Sequence, residues 1–156
     1  MATRHVTPEL DEVDRVLLAA LQRDGRMSMT DLARQAQLGL SATRVRLRRL
    51  EESGVITGFT AHVDPSALGY TLRALVRMKV HGALYDKVEA HLAEHPQIVR
   101  CVRVTGESCY VMEVLAVDMT ELGTITGDLA RTGSVTTDLV YEIVADRPVP
   151  VREAGG

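Results

Sequence analysis

The sequence contains no Trp and a single Phe, and aromatic residues make up only 3% of its 156 positions. A platform that stacks single-stranded bases lacks its usual rings, which argues against an aromatic-based RNA binder. Cysteine is equally scarce. Cys101 and Cys109 are too few for a disulfide framework and have no zinc-like spacing to further Cys or His, so buried, reduced thiols are expected. No apolar run approaches the ~20 residues needed to span a bilayer, and no apolar signal segment opens the chain. The expectation is a cytoplasmic protein with no membrane partner. Repeats and low-complexity segments are also missing.

What is present is aliphatic. With 46% hydrophobic residues the chain can bury real cores of Leu, Val, Ile and Met, and its length suits one large domain or two small ones. The net charge of −3 conceals a split. Residues 26–50 carry Arg26, Arg34, Arg44, Arg46, Arg48 and Arg49 against Asp31 alone, a local charge of +5, whereas residues 64–156 sum to −4. A basic region on an otherwise acidic body is expected where only one face approaches phosphate.

The N-terminal pattern predicts three short helices. Asp11 is placed to cap the first, with Asp14 at the positive end of its dipole and Val13, Leu17, Ala20 and Leu21 as its apolar stripe. Asp24 and Gly25 should end it, Gly25 taking the left-handed conformation. Ser28 and Asp31 resemble a capping box opening a second helix of about ten residues, with Leu32, Ala33 and Ala36 on its buried face. Gln37 to Leu40 form a tight glycine-containing turn, and a third helix runs from Ser41 to Ser53. Thr43, Leu47 and Leu50 lie on one face of it, which leaves Ser41, Ala42, Arg44, Val45, Arg48 and Arg49 on the others.

Three short helices ending in a basic one form a helix-turn-helix pattern, so double-stranded DNA is the expected partner. A solvated helix face is the plainer alternative, but such faces mix charge signs. Glu52 can pair with Arg48, whereas Arg44, Arg46 and Arg49 have no obvious local partner. The start of a recognition helix enters the major groove, so Ser41, Ala42, Arg44 and Val45 are candidates for reading bases, and Arg48 and Arg49 for holding phosphates.

Residues 55–63 read as a short strand, followed by a connector through Asp64, Pro65, Ser66, Gly69 and Tyr70. Beyond it, Leu72 to Val80 alternate strictly as a strand; Leu84, Val88 and Leu92 mark a helix ended by Pro96; strands follow at 98–105 and 109–117 around Gly106. Leu122, Ile125 and Leu129 mark a further helix, despite Gly123 and Gly127, which each cost about 1 kcal/mol against Ala there. The last strand is expected from Val135 to Val144. The order βαββαβ defines a ferredoxin-like unit with helices on one sheet face and the other free for a partner. The fold class is thus α+β, a winged-helix-like helix-turn-helix domain over residues 1–63 followed by a ferredoxin-like domain over 64–156.

Leu10-Asp11, Asp14-Arg15, Asp24-Gly25-Arg26, Leu32-Ala33, the run Arg46-Leu47-Arg48-Arg49-Leu50-Glu51 and the run Gly54-Val55-Ile56-Thr57-Gly58-Phe59 closely resemble the leucine- and asparagine-responsive (Lrp/AsnC, feast/famine) regulators, in the family's own order. The resemblance implies a transcription regulator whose second domain senses a small-molecule effector, commonly an amino acid, and mediates oligomerisation. It implies homodimers joined through the linker strand and sheet, often assembled to octamers. It also places effector binding at the turn formed here by Gly106, Glu107, Ser108, Cys109 and Tyr110. Two departures stand out. Gly39 occupies a position where the family usually has a capping Ser, and Ala42 replaces a common polar residue. The loop, often Gly-Asp-aromatic-Asp-Tyr in the family, has Glu107, Ser108 and Cys109 instead.

His91 and His95 lie one helical turn apart, but with no third ligand evident they read as surface histidines rather than a metal site. Cys109 has no His or acid placed by sequence to activate it as a nucleophile. No cofactor and no enzymatic activity are expected. The competing functions are a nucleoid-architectural DNA-binding protein and a ligand-sensing or enzymatic ferredoxin-like subunit.

Overall fold

The structure, a computed structural model, describes residues 9–82 and 84–152. Contacts divide the chain into two units, one running to Ala61 and including the stretch from Ala145, the other His62–Val144. The division falls two residues before the expected boundary. The final stretch, expected in the second domain, groups with the first; there the Arg15 Nε donates to the Arg152 carbonyl at 2.8 Å.

Helix α1 spans Glu12–Arg23 and begins with a reciprocal box. The Asp14 N–H donates to Asp11 Oδ1 at 2.8 Å, and the Asp11 N–H donates to Asp14 Oδ2 at 3.1 Å. Two orphan amides are thereby satisfied at the helix end. Helix α2 is Met29–Gln35, capped by Ser28, and is shorter than expected; α3 is Leu40–Glu52. Leu17, Ala20, Leu32 and Ala36 form the core of this unit, with Val13, Val16, Leu21, Met27, Leu38 and Leu47 packed around it.

One turn expectation is corrected. Gly25 does not adopt a positive φ; α1 is ended by Asp24, in extended conformation, whose Oδ1 accepts from the Arg26 N–H at 2.9 Å. The expected tight turn between α2 and α3 is formed, with Gln37 as its left-handed residue at φ 53° and Gly39 in the β region as the N-cap of α3. The Leu38 N–H donating to the Ala33 carbonyl at 2.9 Å closes this turn.

The expected strand over 55–63 is not formed. These residues have no strand partner among the described residues, and β structure requires a neighbour to complete its ladder.

The second unit has the order β1 (Leu72–Val80), α4 (Tyr85–Glu94), β2 (Ile98–Arg103), β3 (Tyr110–Ala116), α5 (Met119–Ala130), β4 (Gly133–Leu139). The strands form one antiparallel sheet in the order β2-β3-β1-β4. This is the ferredoxin-like arrangement. Ala74, Val76, Met78 and Val80 alternate onto one face and pack with Met112, Val114 and Ala116 beneath Val88, Leu122, Ile125 and Leu129 of the helices. α5 forms despite its glycines because Asp118 accepts from the N–H groups of Thr120 and Glu121, both at 2.8 Å, and its apolar stripe is fully used.

β4 begins earlier and ends sooner than expected, since pairing with β1 stops at Leu139 opposite Ala74. Tyr141, Ile143 and Val144 lie beyond it, exposed. No helix among the described residues is long and apolar enough to cross a membrane.

Candidate nucleic-acid interface and effector loop

Helix α3 turns Thr43 and Leu50 inward, with Leu47 against the core, so the opposite surface must face out. Ser41, Ala42, Arg44, Val45, Arg48 and Arg49 are all exposed, Val45 by 68%. Ser41, Ala42 and Val45 line a shallow groove with Arg46 and Arg49. The N-cap Gly39 contributes no side-chain hydrogen bond, so the first amides of α3 have no side-chain acceptor from their cap.

The arginines divide into two kinds: Arg46 and Arg49, without a local partner in sequence, find distant ones on α1, and the Arg48–Glu52 pair that the spacing allows is not formed among the described residues. The Arg46 Nη1 donates to Asp11 Oδ2 at 2.5 Å and to Asp14 Oδ1 at 2.9 Å, and the Arg49 Nη2 donates to Asp14 Oδ2. Asp14 is completely buried. The Asp14 N–H and the Arg46 guanidinium hold the Asp11 carboxyl below its ordinary range, and the two carboxylates raise Arg46 further. Arg44 and Arg48 make no ion pair among the described residues. Two of the six positive charges near the turn thus tie α3 to α1, and Arg44 and Arg48 remain open on the outer face.

In the second unit, the segment between β2 and β3 carries the predicted loop. Gly106 has φ 122°, a conformation that a side chain would strain. The Val104 N–H donates to the Cys109 carbonyl at 3.0 Å, and the Cys109 N–H donates to the Met78 carbonyl at 2.8 Å. Glu107 is exposed, Ser108 half-buried, and Cys109 and Tyr110 pack against the core. Burial raises the Cys101 thiol above its ordinary range, which keeps it protonated and poorly nucleophilic.

Sequence reasoning missed two neighbours of this loop. The Arg103 guanidinium carbon lies 4.5 Å from the Tyr85 ring centre and 5.7 Å from that of Tyr110. Arg103 pairs with Tyr110 in the β2–β3 register, a signal the hairpin pattern carries, whereas Tyr85 arrives from α4. The histidines are also corrected. His91 and His95 have side chains only 14% exposed and are engaged with Thr132 and Asp128.

Comparisons with known proteins agree with this layout. Residues 10–57 match the winged helix-turn-helix DNA-binding family model, and residues 73–150 match the Lrp/AsnC ligand binding domain. The HTH-type transcriptional regulator LrpA of Mycobacterium tuberculosis is 34% identical over 82% of this chain and 86% of its own length. The HTH-type regulator FL11 of Pyrococcus horikoshii is 37% identical over 72% of this chain and 75% of its own. Among solved structures, a feast or famine regulatory protein of M. tuberculosis complexed with L-methionine superposes with TM-score 0.85 at 28% identity, covering 92% of this chain and 100% of that one.

The chain belongs to the Lrp/AsnC family. It is a DNA-binding transcription regulator with an effector-responsive second domain, and its named relatives are transcriptional regulators rather than enzymes.

Proposed function

We propose that this regulator reads operator DNA with the outer face of α3 and adjusts that binding to an amino acid held at the loop from Gly106 to Tyr110. The observation that carries the reading is the division among the arginines. Asp11 and Asp14 fix α3 through Arg46 and Arg49, while Arg44 and Arg48 stay unpaired on the exposed surface. Ser41, Ala42, Arg44 and Val45, at the N-terminal half, meet base edges. Arg48 meets phosphate, joined by Arg49 through the part of its guanidinium that Asp14 leaves open.

A homodimer presents two such helices, and dimers assemble further to octamers. The sheet face away from the helices supports this, with Leu75 exposed between the Arg73–Glu113 and Arg77–Asp138 ion pairs and Val102 exposed on the edge strand β2. So do the unpaired segments carrying Phe59, Val63, Tyr141 and Ile143, all exposed. Residues 55–63 of two copies supply each other with the ladder partner that one chain lacks. The site of action is the cytoplasm.

Competition binding tests the reading. The region upstream of the protein's own gene should be preferred over random DNA by a factor on the order of 10³ or more. Equal affinity for both would point instead to an architectural DNA-binding protein. Light scattering should give a dimer or larger species, and a monomer at micromolar concentration would overturn the assembly.

A further inference from the structure

We infer that His91, Glu94 and His95 form a binding site for a divalent transition-metal ion of the zinc class, separate from both the DNA-facing helix and the effector loop. One ligand atom from each of the three lies within 4.8 Å of the others, close to the mutual spacing of donors around one ion. The sequence His91-Leu92-Ala93-Glu94-His95 has the H-x-x-E-H spacing of zinc-binding helices, although His95 here is the C-cap of α4, so it is the end of the helix that brings the two imidazoles and Glu94 together.

The second observation is an unsatisfied atom. The His91 Nδ1 is buried without a hydrogen-bond partner, 3.9 Å from Glu94 Oε2, while the Nε2 on the other side of the ring lies 2.9 Å from the hydroxyl of buried Thr132. A buried, unpaired ring nitrogen is costly, and an ion at Nδ1 removes the cost while Nε2–H donates to Thr132. His95 is held comparably, its Nε2 3.2 Å from Asp128 Oδ2 on α5. Outer hydroxyl and carboxylate partners of this kind orient ligand imidazoles and raise their basicity.

Two imidazoles and one carboxylate select zinc, cobalt or nickel over magnesium or calcium, and leave a fourth position for water. The ion would sit at the end of α4, its imidazole ligands held by Asp128 and Thr132 from the junction of α5 and β4.

The test is titration of the metal-free, untagged full chain with Zn²⁺ against a chromogenic chelator, followed by Co²⁺ spectroscopy. One ion per chain is expected. Glu94→Gln and His95→Ala should each weaken binding at least tenfold, and Asp128→Asn by about ten- to a hundredfold. His81→Ala, outside the cluster, should leave it unchanged. Glu94 is 68% exposed, so its variant is safe for the fold, and melting in chelator checks the others. Co²⁺ should give the ligand-field bands of a nitrogen- and oxygen-bound ion, lost in His91→Gln. No uptake at millimolar zinc, affinity unaltered by Glu94→Gln and His95→Ala, or thiolate-to-cobalt charge transfer placing the ion on Cys101 or Cys109 would each overturn the site.

Discussion

Asp14 of α1, without exposed surface, accepts a hydrogen bond from Arg46 of α3 at 2.9 Å across 32 residues of sequence. The same carboxylate closes the box at the start of α1 and receives Arg49. One acid therefore ends one helix and orients the other. Asp14→Ala should destabilise the first unit by about 3 kcal/mol, since it removes a buried partner of two cations and half of a capping box. Arg46→Ala should cost less, because Arg49 still neutralises the carboxylate. Urea unfolding measures both, and a loss below about 1 kcal/mol for Asp14→Ala would place the pair among ion pairs of little weight.

The same region should be acid-sensitive. Asp11 is held below its ordinary range by the Asp14 N–H and then Arg46, and Asp31 by the Ser28 hydroxyl and Arg34. A depressed folded value means the stabilisation is fully present above the unfolded value of about 4 and is lost as pH falls through the folded one. Melting temperature should drop below pH 4, and Asp11→Asn combined with Asp31→Asn should flatten that drop. An unchanged pH profile in the double variant would assign the acid loss elsewhere.

Glycines separate propensity from packing. A Cβ on Gly123 or Gly127 would meet nothing within 4 Å, and both lie inside α5, so each Ala substitution should stabilise by about 0.5 to 1 kcal/mol. Gly133 is the opposite case. A Cβ there would fall 2.3 Å from the Lys79 carbonyl oxygen, so Gly133→Ala must displace the β1–β4 pairing and should cost about 1 to 3 kcal/mol. Thermal melts of the three variants check the contrast, and equal effects would contradict it.

Which features were readable follows from their range. The caps at Asp11 and Ser28 and the alternation in β1 are local patterns with fixed spacing, and they appear where the residues put them. The α3 face was legible for the same reason. The Arg46 and Arg49 partners were not, because they depend on how α1 crosses α3, which no spacing encodes. The turn through Gln37 was legible but not which of its residues takes the left-handed conformation, and residues 55–63 carry strand chemistry without a partner among the described residues. Glu94 stands three residues after His91 within α4, a spacing that local pattern carries, whereas the placement of His95 depends on the helix ending just before it.

Arg44 and Arg48 should affect DNA binding differently. Arg44→Ala should cost about 1 to 3 kcal/mol on the specific site and relax its sequence preference, while Arg48→Ala should weaken all sequences and lower the salt slope by about one. Footprints should show near-palindromic half-sites about 10 base pairs apart or a multiple of it. Equal, salt-independent losses for both variants would contradict the two roles.

The effector prediction rests on the loop from Gly106 to Tyr110 and on the arginine beside it. A free amino acid presents an ammonium group and a carboxylate. Where the family's loop commonly has a second Asp, this chain has Cys109, which cannot accept the charge-assisted hydrogen bond that an ammonium offers. Such a bond is worth about 1.5 to 3 kcal/mol, so leucine should bind roughly ten- to a hundredfold more weakly than with Asp present. Arg103, stacked over Tyr85 and without a carboxylate partner among the described residues, is the cation we expect to receive the ligand's own carboxylate. Ser108 is smaller than the aromatic ring common at that position in the family, so the predicted preference is for a ligand with a bulkier side chain. The expected outcome is altered ligand choice, with Arg103→Ala abolishing detectable binding and Cys109→Asp strengthening leucine. Because Cys109 packs against the core, melts must accompany the second variant. Calorimetric titration of the twenty amino acids decides the matter, and tight leucine binding by the natural chain, unchanged in a folded Cys109→Asp variant, would show that the departure at this position is silent.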